Sequence, residues 1–417
     1  MFVLNIHQST TLGEHSVPRG QSVAKTSNPH ELWRGSRESP GGPTSVVSMS
    51  DVERLYSVIP AGGIGSRLWP LSRADAPKFL HDLTGSGKTL LRGTWERLEP
   101  ISGPDRMMVV TGRAHRAAVE TQLPELIDRN VVLESEPKDS SAAIGLAAAI
   151  LEHREPGVII GSFAADHVIT DTRGFQRAVA EGVAAASAGY IATIGITPTE
   201  AAIGFGYIHC GEPLTISGAP RAVLVDRFVE KPAAHVAREY VEDGNYLWNG
   251  GMFISRADVL LAQLGQSEPE LLAGLQELAE AWDTDRRGAT VDRVWPRLKK
   301  IAIDYTVAEP AAEAGRLVVI PGDFDWDDVG DFASIGKLHA AGRASNLAIL
   351  GENARVLADS SSGVVVSHSG RLISLVGVSD IVVVDTPDAL LVTTTANAQR
   401  VKSVVDALKL SGRDDVL

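Results

Sequence analysis

VIPAGGIGSRLWPLSRADAPKFL, residues Val58–Leu80, begins as an apolar strand and breaks without a spacer into Gly62-Gly63-Ile64-Gly65. Glycines at that point let backbone N–H groups approach an anion, because no Cβ stands in the way. Arg67 follows, and a Pro-rich stretch with no helical period then delivers Lys78. One forked cation, one point cation and a nest of amides suit a polyphosphate whose α-phosphorus gains charge during attack. Ala61, Gly62, Gly63, Gly65 and Ser66 are therefore candidate nucleotide-binding residues, and Arg67 and Lys78 candidate catalytic ones. A tight strand-to-helix turn would account for Gly-Gly-x-Gly alone. It does not account for Arg67, Trp69-Pro70-Leu71 and Pro77-Lys78 at these spacings.

Outward from that stretch the chain alternates. Apolar runs at 55–61, 106–112, 130–135, 157–166 and 190–196 read as buried strands, separated by helix-like segments at 89–98, 113–126, 141–152 and 172–188. Strands alternating with helices predict an α/β fold over 51–340, a Rossmann-like, mostly parallel sheet with helices on both faces. Ligands in such sheets sit beyond the carboxyl ends of the strands. Asp166 closes the run GVIIGSFAAD (157–166) and is placed to hold a hard Mg2+ ion. His167 is a poor magnesium ligand and is expected to be structural. Glu230-Lys231, after the apolar run VLVDRFV (223–229), offers an acceptor for sugar hydroxyls and a donor for a sugar phosphate. Beyond about residue 340 the sequence turns Val-rich and strand-like. It predicts a small all-β C-terminal domain over 341–417, closed by a helix near 396–408. Residues 1–50 carry neither period and are expected to be a disordered leader, with Met49 as an alternative start that would leave it untranslated.

The 417 residues carry 39 basic and 52 acidic side chains, a net charge of −13, which argues against a nucleic-acid binder. The longest apolar runs, such as Ala142–Leu151, are about half of the roughly 20 residues a membrane-spanning helix needs. A single cysteine, Cys210, excludes an internal disulfide and suits a reducing cytoplasm. Two stretches imitate other nucleotide sites. Residues 85–89 read GSGKT, but the glycine that a P-loop needs four residues before Gly87 is replaced by Asp82. Gly63-Ile64-Gly65 starts a dinucleotide fingerprint, whose third glycine would fall at Leu68.

The segment from Gly62 through Ser72, followed by Pro77-Lys78, resembles the signature of the sugar-1-phosphate nucleotidylyltransferases, and within them the mannose-1-phosphate guanylyltransferases. Phe79 departs from the many members that carry Gln directly after the Lys. Further blocks extend the resemblance. Glu136-Pro137 and Lys138-Asp139-Ser140 stand where the family carries Glu-Pro and Arg-Asn-Thr, with a spacer two residues shorter, which implies Lys138 and Ser140 near the base. Gly206 falls in a Gly-Tyr-Ile block that implies backbone facing the sugar, and Asn249 in an Asn-x-Gly-Met-Phe block that implies contact with sugar hydroxyls. Ile303-Asp304-Tyr305 also matches, without a clear role. Trp326-Asp327-Asp328-Val329-Gly330 implies Asp328 as a second magnesium ligand beside Asp166. The resemblance implies GTP and α-D-mannose 1-phosphate as substrates, Mg2+ as cofactor, and a cytoplasmic enzyme without nucleic-acid or membrane partners, for which a homodimer is one compatible assembly. Another nucleotide and hexose 1-phosphate, such as UTP or dTTP with glucose 1-phosphate, or a catalytically silent nucleotide-sugar sensor, stay open as alternatives.

Overall fold

Runs of Val, Ile and Met that alternate between two apolar faces become the central strands of one sheet. The computed structural model describes residues 54–340, 346–351 and 354–417. The expected leader at 1–50 and its restart at Met49 lie outside them. Strands β1 (Leu55–Ala61), β2 (Met107–Gly112), β3 (Val131–Glu134) and β4 (Ile159–Ser162) alternate with helices α1 (Leu90–Ser102), α2 (Arg116–Gln122), α3 (Ser140–Arg154) and α4 (Thr172–Ser187). The order β3-β2-β1-β4 is parallel throughout. Period-two alternation sends Val58, Met108, Val110 and Ile160 into one apolar cluster and Ile59, Met107, Val109 and Ile159 into another. Helix α3 is buried on every side from Ser141 to Leu151, so it needs no polar face.

The remaining core strands are β5 (Val168–Ile169), β6 (Ile191–Ile196), β7 (Tyr207–Pro213), β8 (Val223–Val229), β9 (Tyr246–Arg256), β10 (Leu317–Gly322) and β11 (Trp326–Asp327). The main sheet continues from β4 through β9, β6, β10 and β8 to β7. Strand β9 runs antiparallel between β4 and β6, while β6 and β10 are parallel. Its pairing of Asn249 with Gly195 puts Asn249 at the carboxyl end of β6. The short strands β5 and β11 pair with each other outside the main sheet, Ile169 with Trp326 and Val168 with Asp327. No helix among the described residues is long and apolar enough to cross a membrane.

The C-terminal strands are β12 (Leu347–Leu350), β13 (Arg355–Asp359), β14 (Gly363–Ser367), β15 (Leu372–Val376), β16 (Ile381–Asp385) and β17 (Leu390–Thr394). Strands β12, β14 and β16 stack in parallel, as do β13 and β15, so successive turns of chain coil onto one another. The closing element is a 3-10 turn, Thr395–Arg400, running into a helix at Val401–Leu410.

This coil grips the second half of the Val58–Leu80 stretch. Leu68, Trp69 and Leu71 share an apolar cluster with Val364, Val382 and Val401. The Trp69 indole donates to the Val416 carbonyl at 2.7 Å, and Arg73 forks onto Asp388 at 2.8 and 2.9 Å. Trp69-Pro70-Leu71 therefore braces the glycine loop from behind. Trp69→Phe, which loses the indole hydrogen bond and part of the ring volume, is expected to cost about 1–3 kcal/mol of unfolding free energy. Trp69→Ala is expected to cost about 3–5 kcal/mol. Urea denaturation of the two variants measures both.

Candidate active site

The chain leaves β1 at Ala61 and turns through Gly63 and Gly65, both at positive φ. Gly65 is obligatory on a second count, since a Cβ there would lie 2.8 Å from the Cβ of Lys78. Ser72 Oγ donates to the Ile64 carbonyl at 2.7 Å, which closes the loop on itself. Arg67 is exposed and makes no hydrogen bond or ion pair with any described residue. Lys78 is the opposite case. It is buried, with its ammonium 2.7 Å from Asp166 Oδ2 and donating to the Asp328 carbonyl at 2.6 Å. Phe79 is buried and edge-on to His115, which accounts for an apolar residue there.

The two predicted metal-ligating aspartates thus meet around one ammonium. Burial would raise the Asp166 carboxyl, but the charge of Lys78 overrides it and holds it below the ordinary range. Asp328 is pushed up to about 6, first by burial and then by repulsion from Asp327 and Asp166. The Asp327 carboxylate turns aside to accept from the Val329 amide at 2.6 Å. Val329 is fully buried at a φ of 47°, a costly conformation for a β-branched residue. The Asp166 and Asp328 side chains are both partly buried, and the one ammonium pairs with the Asp166 carboxylate only, since its contact to Asp328 is with the main-chain carbonyl. The Asp328 carboxylate has no ion pair with any described residue, which leaves the site short of positive charge. No group of three or more His, Cys, Asp or Glu side chains able to hold a metal occurs among the described residues. That donor set fits Mg2+, which takes one or two carboxylates and completes its shell with water and phosphate oxygens. His167 is half-buried and pushed down to about 4 by desolvation, so it is neutral.

At the carboxyl ends of β6 and β8 lies a second group. A Cβ on Gly206 would come within 2.6 Å of Glu230 Oε2, so only glycine lets that carboxylate in. Lys231 donates to Glu230 Oε1 at 2.6 Å, with its own side chain 59% exposed. The Asn249 amide is fixed by three bonds. Its oxygen accepts from Thr193 Oγ1 at 2.9 Å and from the Gly251 amide at 3.1 Å, and its nitrogen donates to Asp304 Oδ1 at 2.9 Å. One N–H of Asn249 remains free to donate. Asp304, whose role the sequence left open, is pushed up to about 7 by burial and by Glu230. Gly206, Glu230, Lys231, Asn249 and Asp304 thus come together as one cluster of hydrogen-bond donors and acceptors.

The segment expected near the base is arranged differently. The Lys138 ammonium donates to the Pro296 carbonyl at 2.8 Å and pairs with Glu136 at 2.7 Å. Ser140 is not the cap of α3. Asp139 occupies that position, and Ser140 Oγ accepts from the Ile303 amide at 2.9 Å. Both side chains are engaged in anchoring 136–141 to 296–306. The sequence reading passed over Glu134. It closes β3, one residue beyond Leu133, which lies in register with Ala61 two strands away, and its Oε1 is buried and without a partner. Burial and Asp139 push its carboxyl up to about 7. The signal was available, since VVLE ends a strand on an acid as FAAD does.

An aromatic layer joins these parts. His167 packs on Trp326, Trp326 on Phe205 and Phe205 on Trp248, with ring centroids 5.1–5.3 Å apart. Each ring adjoins a site segment in sequence: Asp166, Asp327-Asp328, Gly206 and Asn249. Cys210 is buried, its thiol pushed up to about 11 by burial, and takes no part. The GSGKT loop is closed to anions. Its amides at Thr84, Gly85, Ser86 and Gly87 all donate to the Asp82 carboxylate at 2.6–3.2 Å.

The nucleotidyl transferase family pattern matches residues 56–344, and the MannoseP isomerase/GMP-like beta-helix domain pattern matches residues 353–408. The mannose-1-phosphate guanylyltransferase ManC of Salmonella typhimurium is 36% identical over 369 residues, 87% of this chain and 75% of that one. The mannose-1-phosphate guanylyltransferase of Escherichia coli K12 is 35% identical over 367 residues, with the same shares covered. A crystal structure described as a mannose-1-phosphate geranyltransferase, from Thermus thermophilus, superposes with a TM-score of 0.75 at 31% identity. That match covers 85% of this chain and 99% of the other.

Glu134 gives the ligand-free protein a measurable pH signature. Its folded value of about 7 lies above its unfolded value near 4.5, so the folded state binds the extra proton. The corresponding stability is full below about pH 4.5 and is lost as the pH rises through 7. Glu134→Gln is expected to remove that loss and to be more stable than the parent at pH 8, on the order of 2 kcal/mol. Urea denaturation at pH 5 and pH 8 checks both sign and size.

Proposed function

The chain belongs to the nucleotidyl transferase family, in its mannose-1-phosphate guanylyltransferase branch, and from that premise we propose that it makes GDP-mannose and pyrophosphate from GTP and α-D-mannose 1-phosphate. The observation that carries this reading is Lys78, buried between Asp166 and Asp328 at the mouth of an open glycine loop. A phosphate oxygen of the sugar attacks the α-phosphorus of the nucleotide in line. The new P–O bond forms as the bond to the β-phosphate oxygen breaks, and pyrophosphate leaves opposite. Such transfers rely on positioning and on charge aimed at the reacting phosphates.

Each residue then has a task. Amides of Gly62, Gly63 and Gly65 cradle the triphosphate, and Ala61 and Ser66 bound the cradle. Arg67, exposed and unpaired, closes on the phosphates as charge develops there. Lys78 supplies the second cation, oriented in advance by Asp166 and the Asp328 carbonyl. Lys231 holds the attacking phosphate, while Glu230, Asp304 and the free N–H of Asn249 read the sugar hydroxyls. Lys138 and Ser140 hold the wall beside the base. Asp166 and Asp328 would hold Mg2+, which when bound supplies Lewis-acid charge to the phosphates. Guanine is favoured by Glu134, because a buried carboxylate oxygen lacking a donor matches the N1–H and N2–H edge of that base. From Ala61 to Leu133, the neighbour of Glu134, is a lateral step of two strands, roughly 10 Å, a span a nucleoside bridges. We place the reaction in the cytoplasm, where nucleoside triphosphates are maintained.

Pyrophosphate release from each of the common nucleoside triphosphates, with mannose 1-phosphate and with glucose 1-phosphate, tests the proposal when products are identified by mass. GDP-mannose is the expected dominant product. Another nucleotide sugar would overturn the base or sugar assignment and retain the chemistry. Nucleotide-sugar binding without turnover would overturn catalysis altogether. Arg67→Ala is expected to lower turnover by about 10²–10³.

A further inference from the structure

Asp304 reaches Asn249 from a π-helical turn, Asp304–Ala308, which the Glu309 amide closes by donating to the Asp304 carbonyl. Such turns are rare and gather at functional sites. Three hydrogen bonds fasten this turn and its lead-in to the first residues of α3. The Ile303 amide donates to Ser140 Oγ at 2.9 Å, the Ser141 amide to the Ile301 carbonyl at 3.2 Å, and the Ser141 and Thr306 hydroxyls share a bond of 2.7 Å. The hydroxyl pair is the unusual member. Ser141 and Thr306 are 0% and 1% exposed, and their neighbours Ala142, Ile303, Val307 and Ala308 belong to the large apolar cluster. Neither hydroxyl has another hydrogen-bond partner among the described residues. A lone hydroxyl pair in such a place adds little stability, because two apolar groups of the same shape serve as well or better. What it adds is direction. A hydrogen bond fixes the distance and angle between two segments, whereas apolar burial is non-directional.

We propose that Ser141 and Thr306 are positioning residues that set Asp304, and through it Asn249, relative to the wall beside the base. This rests on the assignment of Glu230, Asn249 and Asp304 to the hexose. The reason lies in the reaction. The α-phosphorus stands between base and sugar, so the attacking oxygen comes within about 3–3.5 Å of it only when both ends are held in one frame. Helix α3 follows β3, the strand that ends at Glu134, so its first residues belong to the base side. Asn249 lies on β9, four strands away from β3 across the sheet. The turn is a direct brace over that width, with Ser141 at one end and Asn249 at the other. A small shift of Thr306 therefore moves the carboxylate that orients the Asn249 amide, while the glycine loop and Lys78 stay in place.

Replacing both hydroxyls together, Ser141→Ala with Thr306→Val, removes the bond without stranding a buried polar atom. This double variant is expected to keep the parent's urea midpoint or to raise it. Its KM for the hexose 1-phosphate is expected to rise about tenfold, with the KM for the nucleotide unchanged to within about twofold. Thr306→Ser, which retains a hydroxyl, is expected to keep the parent's KM for the hexose 1-phosphate. In an Asp304→Ala background the double replacement is expected to add less than about twofold, because its effect passes through that carboxylate. A parental KM for the hexose 1-phosphate, an equal rise in both KM values, or an undiminished effect in the Asp304→Ala background would each overturn the proposal. So would a double variant that unfolds, since the pair would then serve stability. The comparison uses whichever nucleotide and hexose 1-phosphate the full chain converts, so a product other than GDP-mannose overturns the substrate assignment and leaves this test intact. For a chain that binds without turnover, the Kd of labelled mannose 1-phosphate from equilibrium dialysis takes the place of KM, with the same expected and overturning results.

Discussion

The ammonium of Lys78 is the one charge that joins the two halves of the active site. It arrives on the loop after β1, and its partners come from opposite sides, Asp166 after β4 and the Asp328 carbonyl after β11. Without it, the partly buried Asp166 carboxylate would lose its cation while still repelling Asp328, and like charges near each other are costly. The same ammonium depresses Asp166 and only partly offsets the rise in Asp328, so the pair is unequal before any ligand binds. Delivering a lysine to that point requires the loop to double back on the glycine turn, and Gly65 is the residue whose missing Cβ makes room.

That delivery depends on parts of the chain far from the phosphates. Trp69 and Arg73 fasten the loop to the C-terminal coil, so the span between Gly65 and Lys78 is held from outside. On the inner side, the aromatic layer from His167 to Trp248 carries four site segments on one set of packed rings. Packed rings do not deform gradually, because close-packed interiors resist small displacements. A shift of the Asp166 turn is therefore shared with the Asp328 and Asn249 segments.

The parallel half of the sheet was legible because each strand there is a short apolar run followed by a helix, a local pattern. The runs at 55–61 and 190–196 match β1 and the region of β6 to within a residue. The antiparallel entry of β9 between β4 and β6 was not legible, since nothing in YLWNGGMFISR states which strands it pairs with. In the C-terminal domain, Val-rich runs announced strands, but their parallel stacking is a long-range property. At the site, residue types with unusual demands stood out: glycines at a strand end, and an Asp closing an apolar run. Residues whose role rests on burial did not. Glu134 and Glu136 look alike in sequence, yet one is sealed at the end of β3 and the other is half exposed on Lys138. Asp304 gained its meaning only once Asn249 was seen to donate to it.

The two glycine-rich loops show why composition alone misleads. Both present successive backbone amides in a concave turn, which is what an anion needs. In GSGKT the need is already met, because the Asp82 carboxylate accepts from four amides of its own loop. The residue that spoils the P-loop spacing is thus the one that fills the nest. In the loop after β1 no side chain folds back in this way, and the neighbouring charge, Arg67, is positive and unpaired. A nest without an internal anion, flanked by a free cation, stays at a favourable potential for a polyphosphate. What separates the two loops is the sign of the side chain each one holds.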